Sequence, residues 1–254
     1  MIKSCSKFVS TLRSFIVAEI ASNWEGSFSN ATKLIQESKN AGANAVKFQL
    51  WRANDLYNNN HPNWKFIKKS EITFDKAKKL KIIADKVGIE FFCSAFYPEA
   101  IRFLEKLKVK RYKIASRTCL LKDPFSLETL QEKSDTQKPV IISMGMGGNR
   151  KKIENIFSKN QKIFCYCISE YPAHMNKIDW KNAIKFDGFS DHTLGIIAPI
   201  IFTILKKIKN SKKIYIEKHV KLKNSRGPDA STSITTEQLK ELISQIRKIE
   251  KFRF

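Results

Sequence analysis

Residues 188–220 read GFSDHTLGIIAPIIFTILKKIKNSKKIYIEKHV, and this stretch decides the fold. The short run at 188–190 reads as a strand, the apolar pattern at 196–208 as a helix, and 214–217 as a second strand. SDHTLG (190–195) and EKHV (217–220) set His192 and His219 just past the two strand runs. A helix joining two strands makes them parallel neighbours, so both imidazoles arrive at the same end of the sheet.

The same unit recurs along the whole chain. Strands are expected at 15–20, 45–49, 89–94, 111–115, 139–143, 163–168, 188–190 and 214–217. Between them, apolar residues recur at helical spacing: Ala31, Leu34 and Ile35 before Gly42, then Phe74, Ala77, Leu80, Ile83 and Ala84 before Gly88. Further helices are expected at 99–107, around Leu127 and Leu130, near Ile153, weakly near Trp180, and over Leu239, Leu242, Ile243, Ile246 and Ile249. Eight strand–helix units with no linker predict an α/β fold, a closed (β/α)8 TIM barrel over 15–254 behind an N-terminal extension at 1–14. No GxGxxG follows the first strand, which weakens a dinucleotide-binding sheet. The last helical stripe ends almost at residue 254, leaving no expected second domain.

Composition narrows the function. A net charge of +23, from 47 Lys+Arg against 24 Asp+Glu, lies mostly in lysine-rich helix faces and turns such as KKLK and KKIKNSKK. Such a field attracts anionic substrates. Without zinc-finger spacing, an RNP-like strand or a basic tail, nucleic acid is not the expected partner. The absence of an apolar run of about 18 residues argues against a membrane span. The five cysteines, Cys5, Cys93, Cys119, Cys165 and Cys167, form no CxxC pair and read as buried thiols in a reducing cytoplasm.

The expected strand ends are unusually polar. They carry Glu19, Lys47, Ser94, Lys113 with Ser116, Ser143, Ser169 with Tyr171, Ser190 with His192, and Glu217-Lys218-His219. Charged residues in β-runs are costly unless paired or bound to a ligand, and a β/α barrel keeps its active site at these ends. Lys47 and Lys113 suit a phosphate or carboxylate, and Ser94, Ser116, Ser143 and Ser190 offer hydroxyl donors to the same anion. His192 and His219 can hold a divalent metal, and two imidazoles leave positions open for water and substrate, which suits Mn2+ or Mg2+. Glu19 and Glu217 are candidates for orienting water or moving a proton, or else partners for Lys47 or Lys218. His61 and His174 have weaker claims.

These blocks together resemble the sialic acid synthase family, which makes N-acetylneuraminate and related nonulosonic acids. The resemblance runs from about Phe15 to Ile249. It is carried by Ala18-Glu19-Ile20 with Asn23 and Gly26, GANAVKFQ (42–49), YKIAS (112–116), SMGM (143–146), SEYP (169–172), SDHTLG, EKHV and Gly227-Pro228-Asp229. It implies a barrel that condenses phosphoenolpyruvate with an N-acyl hexosamine. Metal held by His192 and His219 would polarise the open-chain aldehyde, the enol carbon would attack, water would add to the oxocarbenium, and phosphate would leave by C–O cleavage. It also implies that Lys47, Ser94, Lys113, Ser116, Ser143 and Ser190 hold phosphoenolpyruvate. Tyr171 and Asp229 would touch the sugar, and Glu19 would lie near the attacking water.

The chain departs from the family pattern in its sugar half. Arg117-Thr118 stands where the family has a glutamate two residues after the serine, Ala230 where a histidine often follows the aspartate, and Trp24-Glu25 for a common His-Asn. The family's C-terminal antifreeze-like domain is not expected here, so a homodimer or a separate domain-supplying partner would complete the site. Two further readings stay open: another phosphoenolpyruvate-using barrel, and a non-catalytic barrel in surface-polysaccharide assembly.

Overall fold

In the computed structural model of the protein, residues 12–252 are described; Cys5 and positions 1–11 of the expected extension lie outside them. Eight parallel strands form the centre: β1 (Arg13–Glu19), β2 (Ala45–Leu50), β3 (Glu90–Ala95), β4 (Tyr112–Ile114), β5 (Val140–Ser143), β6 (Lys162–Tyr166), β7 (Gly188–Asp191) and β8 (Lys213–Lys221). They run in sequence order, and β1 pairs with β8 as well as β2, so the sheet closes on itself. This is the (β/α)8 barrel expected from the alternation. A two-residue β9 (Ile234–Thr235), without signal in the sequence, pairs with the end of β8.

The helices are α1 (Phe28–Asn40), α2 (Ala53–Leu56), α3 (Trp64–Ser70), α4 (Phe74–Val87), α5 (Pro98–Lys106), α6 (Ser126–Asp135), α7 (Arg150–Ile156), α8 (Trp180–Ala183), α9 (Ile197–Ile208) and α10 (Thr236–Lys251). Local chemistry sets their ends. At α4 the Thr73 hydroxyl accepts from Lys76 N, and Gly88 closes the helix at φ 74°, a left-handed position that suits glycine. At α10 Thr235 and Gln238 form a capping box, and Leu239, Leu242, Ile243 and Ile246 bury one face. The long connection after β2 holds α2 and α3 and packs its own small cluster around Trp51, Ala53, Ile67 and Phe96.

Inside the barrel, Val17, Ala45, Phe92, Ile141, Cys165 and Tyr215 form one apolar layer. Strand side chains alternate, so the residue two positions later on each strand faces the same way. Those residues are Glu19, Lys47, Ser94, Ser143, Cys167 and Glu217, all buried. An apolar plug thus carries a polar layer directly on its C-terminal side.

Two expected boundaries are corrected. β1 begins at Arg13, two residues before the apolar run, because backbone pairing to Lys213 and Ile214 needs no apolar side chain at the rim. β8 continues to Lys221, so His219 lies within the strand and not past it. Glu217, Lys218 and His219 stay in register with Val17, Ala18 and Glu19, and the buried charges of Glu217 and Lys218 are paired, so polarity does not end the strand.

Phe48 is fully buried and packs 5.7 Å, centroid to centroid, from Phe91 outside the barrel wall. Phe48→Ala should cost about 3–5 kcal/mol of stability, read as a lower midpoint in urea unfolding, because the cavity left behind cannot collapse in a wall shared with β3.

Candidate active site

The polar layer is an ion-pair network. Glu217 is its hub: its Oε1 accepts from Lys113 Nζ at 2.9 Å and Ser190 Oγ at 2.9 Å, and its Oε2 accepts from Tyr215 Oη at 2.6 Å and lies 3.7 Å from Lys47 Nζ. Lys47 Nζ also reaches Glu19 Oε2 at 2.6 Å and Ser94 Oγ at 3.2 Å. Burial alone would raise the Glu217 carboxyl, but Lys113, Lys47 and the Tyr215 hydroxyl outweigh it and hold it well below the carboxylate range. Burial would lower the Lys113 ammonium, yet the Glu217 charge lifts it above the usual lysine value. Glu19 behaves oppositely: burial pushes its carboxyl up to about 7 against the pull of Lys47. It is therefore the group in this layer that a bound anion would most readily protonate, leaving the layer net positive.

The two imidazoles lie beyond this layer, with ring centroids 5.5 Å apart. His192 Nδ1 sits 2.6 Å from the Ile168 carbonyl, which makes it the N–H and leaves a lone pair on Nε2. Tyr171 packs its ring 4.3 Å from the His192 ring and sets its hydroxyl 3.1 Å from Nε2. His219 is buried, and its Nδ1 has no hydrogen-bond partner. Burial lowers both rings, His219 to about 3, so both are neutral donors at physiological pH. No group of three or more His, Cys, Asp and Glu side chains suited to a metal occurs among the described residues. His192 Nε2, with its lone pair, and the unpartnered Nδ1 of His219 are the nitrogens that could hold a divalent cation, whose other ligands would come from water or substrate.

A cavity of about 410 Å³ opens on these groups. Lys47, Ser94, Lys113, Ser116, Ser143, Tyr171, Ser190, His192, His219 and Asp229 all line it. Glu19 does not; it lies beneath Lys47 and Gln49, whose Nε2 donates to it at 2.9 Å. The Ser143 hydroxyl is buried and unpartnered, and Ser116 Oγ accepts from Gly145 N at 3.0 Å. Asp229 Oδ2 accepts from the Ser22 backbone at 3.0 Å. Lys218 pairs with Asp191 at 2.7 Å rather than with either glutamate. His61 and His174 stay outside the cavity.

Several lining residues escaped the sequence reading. Gln49 follows Lys47 at the two-residue strand step, so the alternation held its signal. Trp51 continues the same two-residue step just past β2, whereas Leu56 and Tyr57 come from α2 and its C-terminal end, where no periodicity points inward. Arg117 lines the cavity with its guanidinium held by both Asp123 oxygens at 2.7 Å, whereas Thr118 is buried away from it.

A (β/α)8 barrel with paired lysines and neutral imidazoles at its strand ends is the frame of an anion-handling barrel enzyme. The chain belongs to the NeuB family, whose model matches residues 34–253. It is 34% identical over 251 residues to an uncharacterized protein of Methanocaldococcus jannaschii, covering 93% of this chain and 71% of that one. It is 31% identical to the N,N'-diacetyllegionaminic acid synthase of Campylobacter jejuni, covering 94% and 77%. The solved N-acetylneuraminic acid synthetase of Leptospira borgpetersenii, in complex with citrate, superposes with a TM-score of 0.83 at 26% identity, covering 93% and 84%. The chain is accordingly an enzyme of the C–C bond-forming synthase class. No helix among the described residues is long and apolar enough to cross a membrane.

Replacing Glu217 with Gln leaves the shape but strands the buried Lys113 ammonium and leaves Lys47 with Glu19 alone. Glu217→Gln should lose about 3–5 kcal/mol of stability, the cost of an uncompensated buried charge. A loss below about 1 kcal/mol in denaturant unfolding would mean that Glu19 alone can neutralise both lysines.

Proposed function

We propose that this protein condenses phosphoenolpyruvate with an N-acyl hexosamine of the N-acetylmannosamine type, giving a sialic or nonulosonic acid and phosphate. The observation that carries this reading is the adjacency of a buried lysine–serine layer and two neutral imidazoles in one cavity. Lys47 and Lys113, with Ser94, Ser116, Ser143 and Ser190, supply charge-assisted and neutral donors for a small, highly charged donor substrate. Ser143 has a free hydroxyl for that purpose. Tyr171 and Asp229 line the same cavity and would touch the acceptor, and Arg117 lines it next to Thr118, the position where the resemblance implies a glutamate. Glu19, with its carboxyl raised to about 7 by burial, is the group of this layer suited to take up or return a proton as charge enters and leaves the cavity, with Lys47 and Gln49 holding it in place.

His192 and His219 would hold Mn2+ or Mg2+, and such an ion supplies a Lewis acid that polarises a carbonyl oxygen. The hydrogen bond from His192 Nδ1 to the Ile168 carbonyl fixes the tautomer that a ligand needs. Met146, Leu194 and Ile197 are exposed apolar side chains, and Met146 lines the cavity. They suit a covering surface from a second copy of the chain or a separate protein, which would complete the sugar half in the cytoplasm.

The test is phosphate release from phosphoenolpyruvate across a panel of N-acyl hexosamines. Release should need sugar, stop after chelation, return with Mn2+, and fall at least about a hundredfold in His192→Ala. Phosphoenolpyruvate binding without release for any sugar, even with candidate partners added, would favour a non-catalytic barrel.

A further inference from the structure

The shortest strand ladder of the barrel lies between β3 and β4. Their register holds a single residue pair, Ser94 with Lys113, whereas β1 and β8 keep seven pairs and β2 and β3 keep six. Both residues of that one pair face the cavity, so the grip on an anionic substrate straddles the place where the ladder is weakest.

Lys133, on α6, reaches this seam from the helix layer. Its side chain is fully buried, at 0% exposure. Its Nζ donates to the Ala95 carbonyl at 2.7 Å and to the Lys113 carbonyl at 3.3 Å, one from each strand. No carboxylate pairs with it among the described residues; the titratable groups that face it are the Cys119 thiol and two further cations, Lys113 and Lys47. A buried amine with no acid partner is expensive where an aliphatic side chain would fill the same space. What an aliphatic chain cannot do is bridge two carbonyls. Burial lowers the Lys133 amine to about 7, and the neutral form still carries two N–H groups, enough for both acceptors.

We propose that Lys133 is a positioning residue whose amine ties β3 to β4 where their ladder stops and so sets the spacing of Ser94 and Lys113 around the substrate's anionic group. The proposal rests on the reading that these two residues hold phosphoenolpyruvate. It concerns a side chain outside the cavity that touches neither substrate nor the imidazoles.

Titration calorimetry with phosphoenolpyruvate alone tests it, comparing the wild type with Lys133→Met, Lys133→Gln and Leu130→Ala. Leu130 is fully buried on the same helix one turn away, so its truncation reports loss of helix packing alone. Lys133→Met should weaken phosphoenolpyruvate binding about tenfold, raise KM in step, and change kcat at saturation by less than about threefold. Lys133→Gln, which keeps an N–H donor, should fall between Met and wild type. Leu130→Ala should lower Tm yet leave affinity within about twofold of wild type. Should Lys133→Met fail to fold, Lys133→Gln against Leu130→Ala decides. Wild-type affinity in the Lys133 variants, or an equal loss in Leu130→Ala, overturns the positioning role. A wild type that does not bind phosphoenolpyruvate overturns the reading of the cavity, and this role with it.

Discussion

The carboxylate of Glu217 accepts from Lys113, Ser190 and Tyr215 and lies within ion-pair reach of Lys47. Four elements of the barrel therefore converge on one side chain: β2, β4, β7 and β8. Two buried ammoniums in a layer this dry would repel each other and drive their own deprotonation without a shared counter-charge. With it they stay charged, side by side, aimed at the cavity. The closed barrel makes the arrangement available, because only closure brings β2 and β4 within reach of a residue on β8.

The apolar layer below has an equal part. Val17, Ala45, Phe92, Ile141, Cys165 and Tyr215 fill the barrel and exclude water from beneath the ion pairs. That exclusion strengthens every interaction above it and raises the Glu19 carboxyl to about 7. Above the pairs, burial keeps His192 and His219 neutral and so able to offer lone pairs. Plug, charged layer and imidazoles form a graded stack. Burial sets the protonation of Glu19 and of both imidazoles, and the Lys133 bridge steadies the stack from outside where the strand ladder is short.

Much of this stack was legible in order along the chain. The alternation of strand and helix patterns implies the barrel, and polar residues closing successive apolar runs mark one end of it. Lys47 and Lys113 stand out because charge inside a β-run has few structural uses, and His192 and His219 because they close or follow two neighbouring strands. The eighth strand was less legible: Glu217-Lys218-His219 looks like the end of a strand, yet all three stay in the ladder, with Glu217 and Lys218 paired to charges on other strands and His219 buried as a neutral ring. Tyr57 and Arg117 carry no periodicity and could not be assigned to a cavity wall from their neighbours alone.

The strand–helix repeat, the glycine stops of its helices and the residue types gathered at the strand ends can be read along the chain, because they follow from local periodicity and side-chain chemistry. Which carboxylate serves which ammonium was decided only in three dimensions. Glu19 pairs with Lys47, Glu217 with Lys113, and Lys218 turns away to Asp191. Such partners lie up to 104 positions apart, and nothing local distinguishes one buried glutamate from another. Closure of the barrel and the register of its strands assign them, and with them the protonation state of each group in the site.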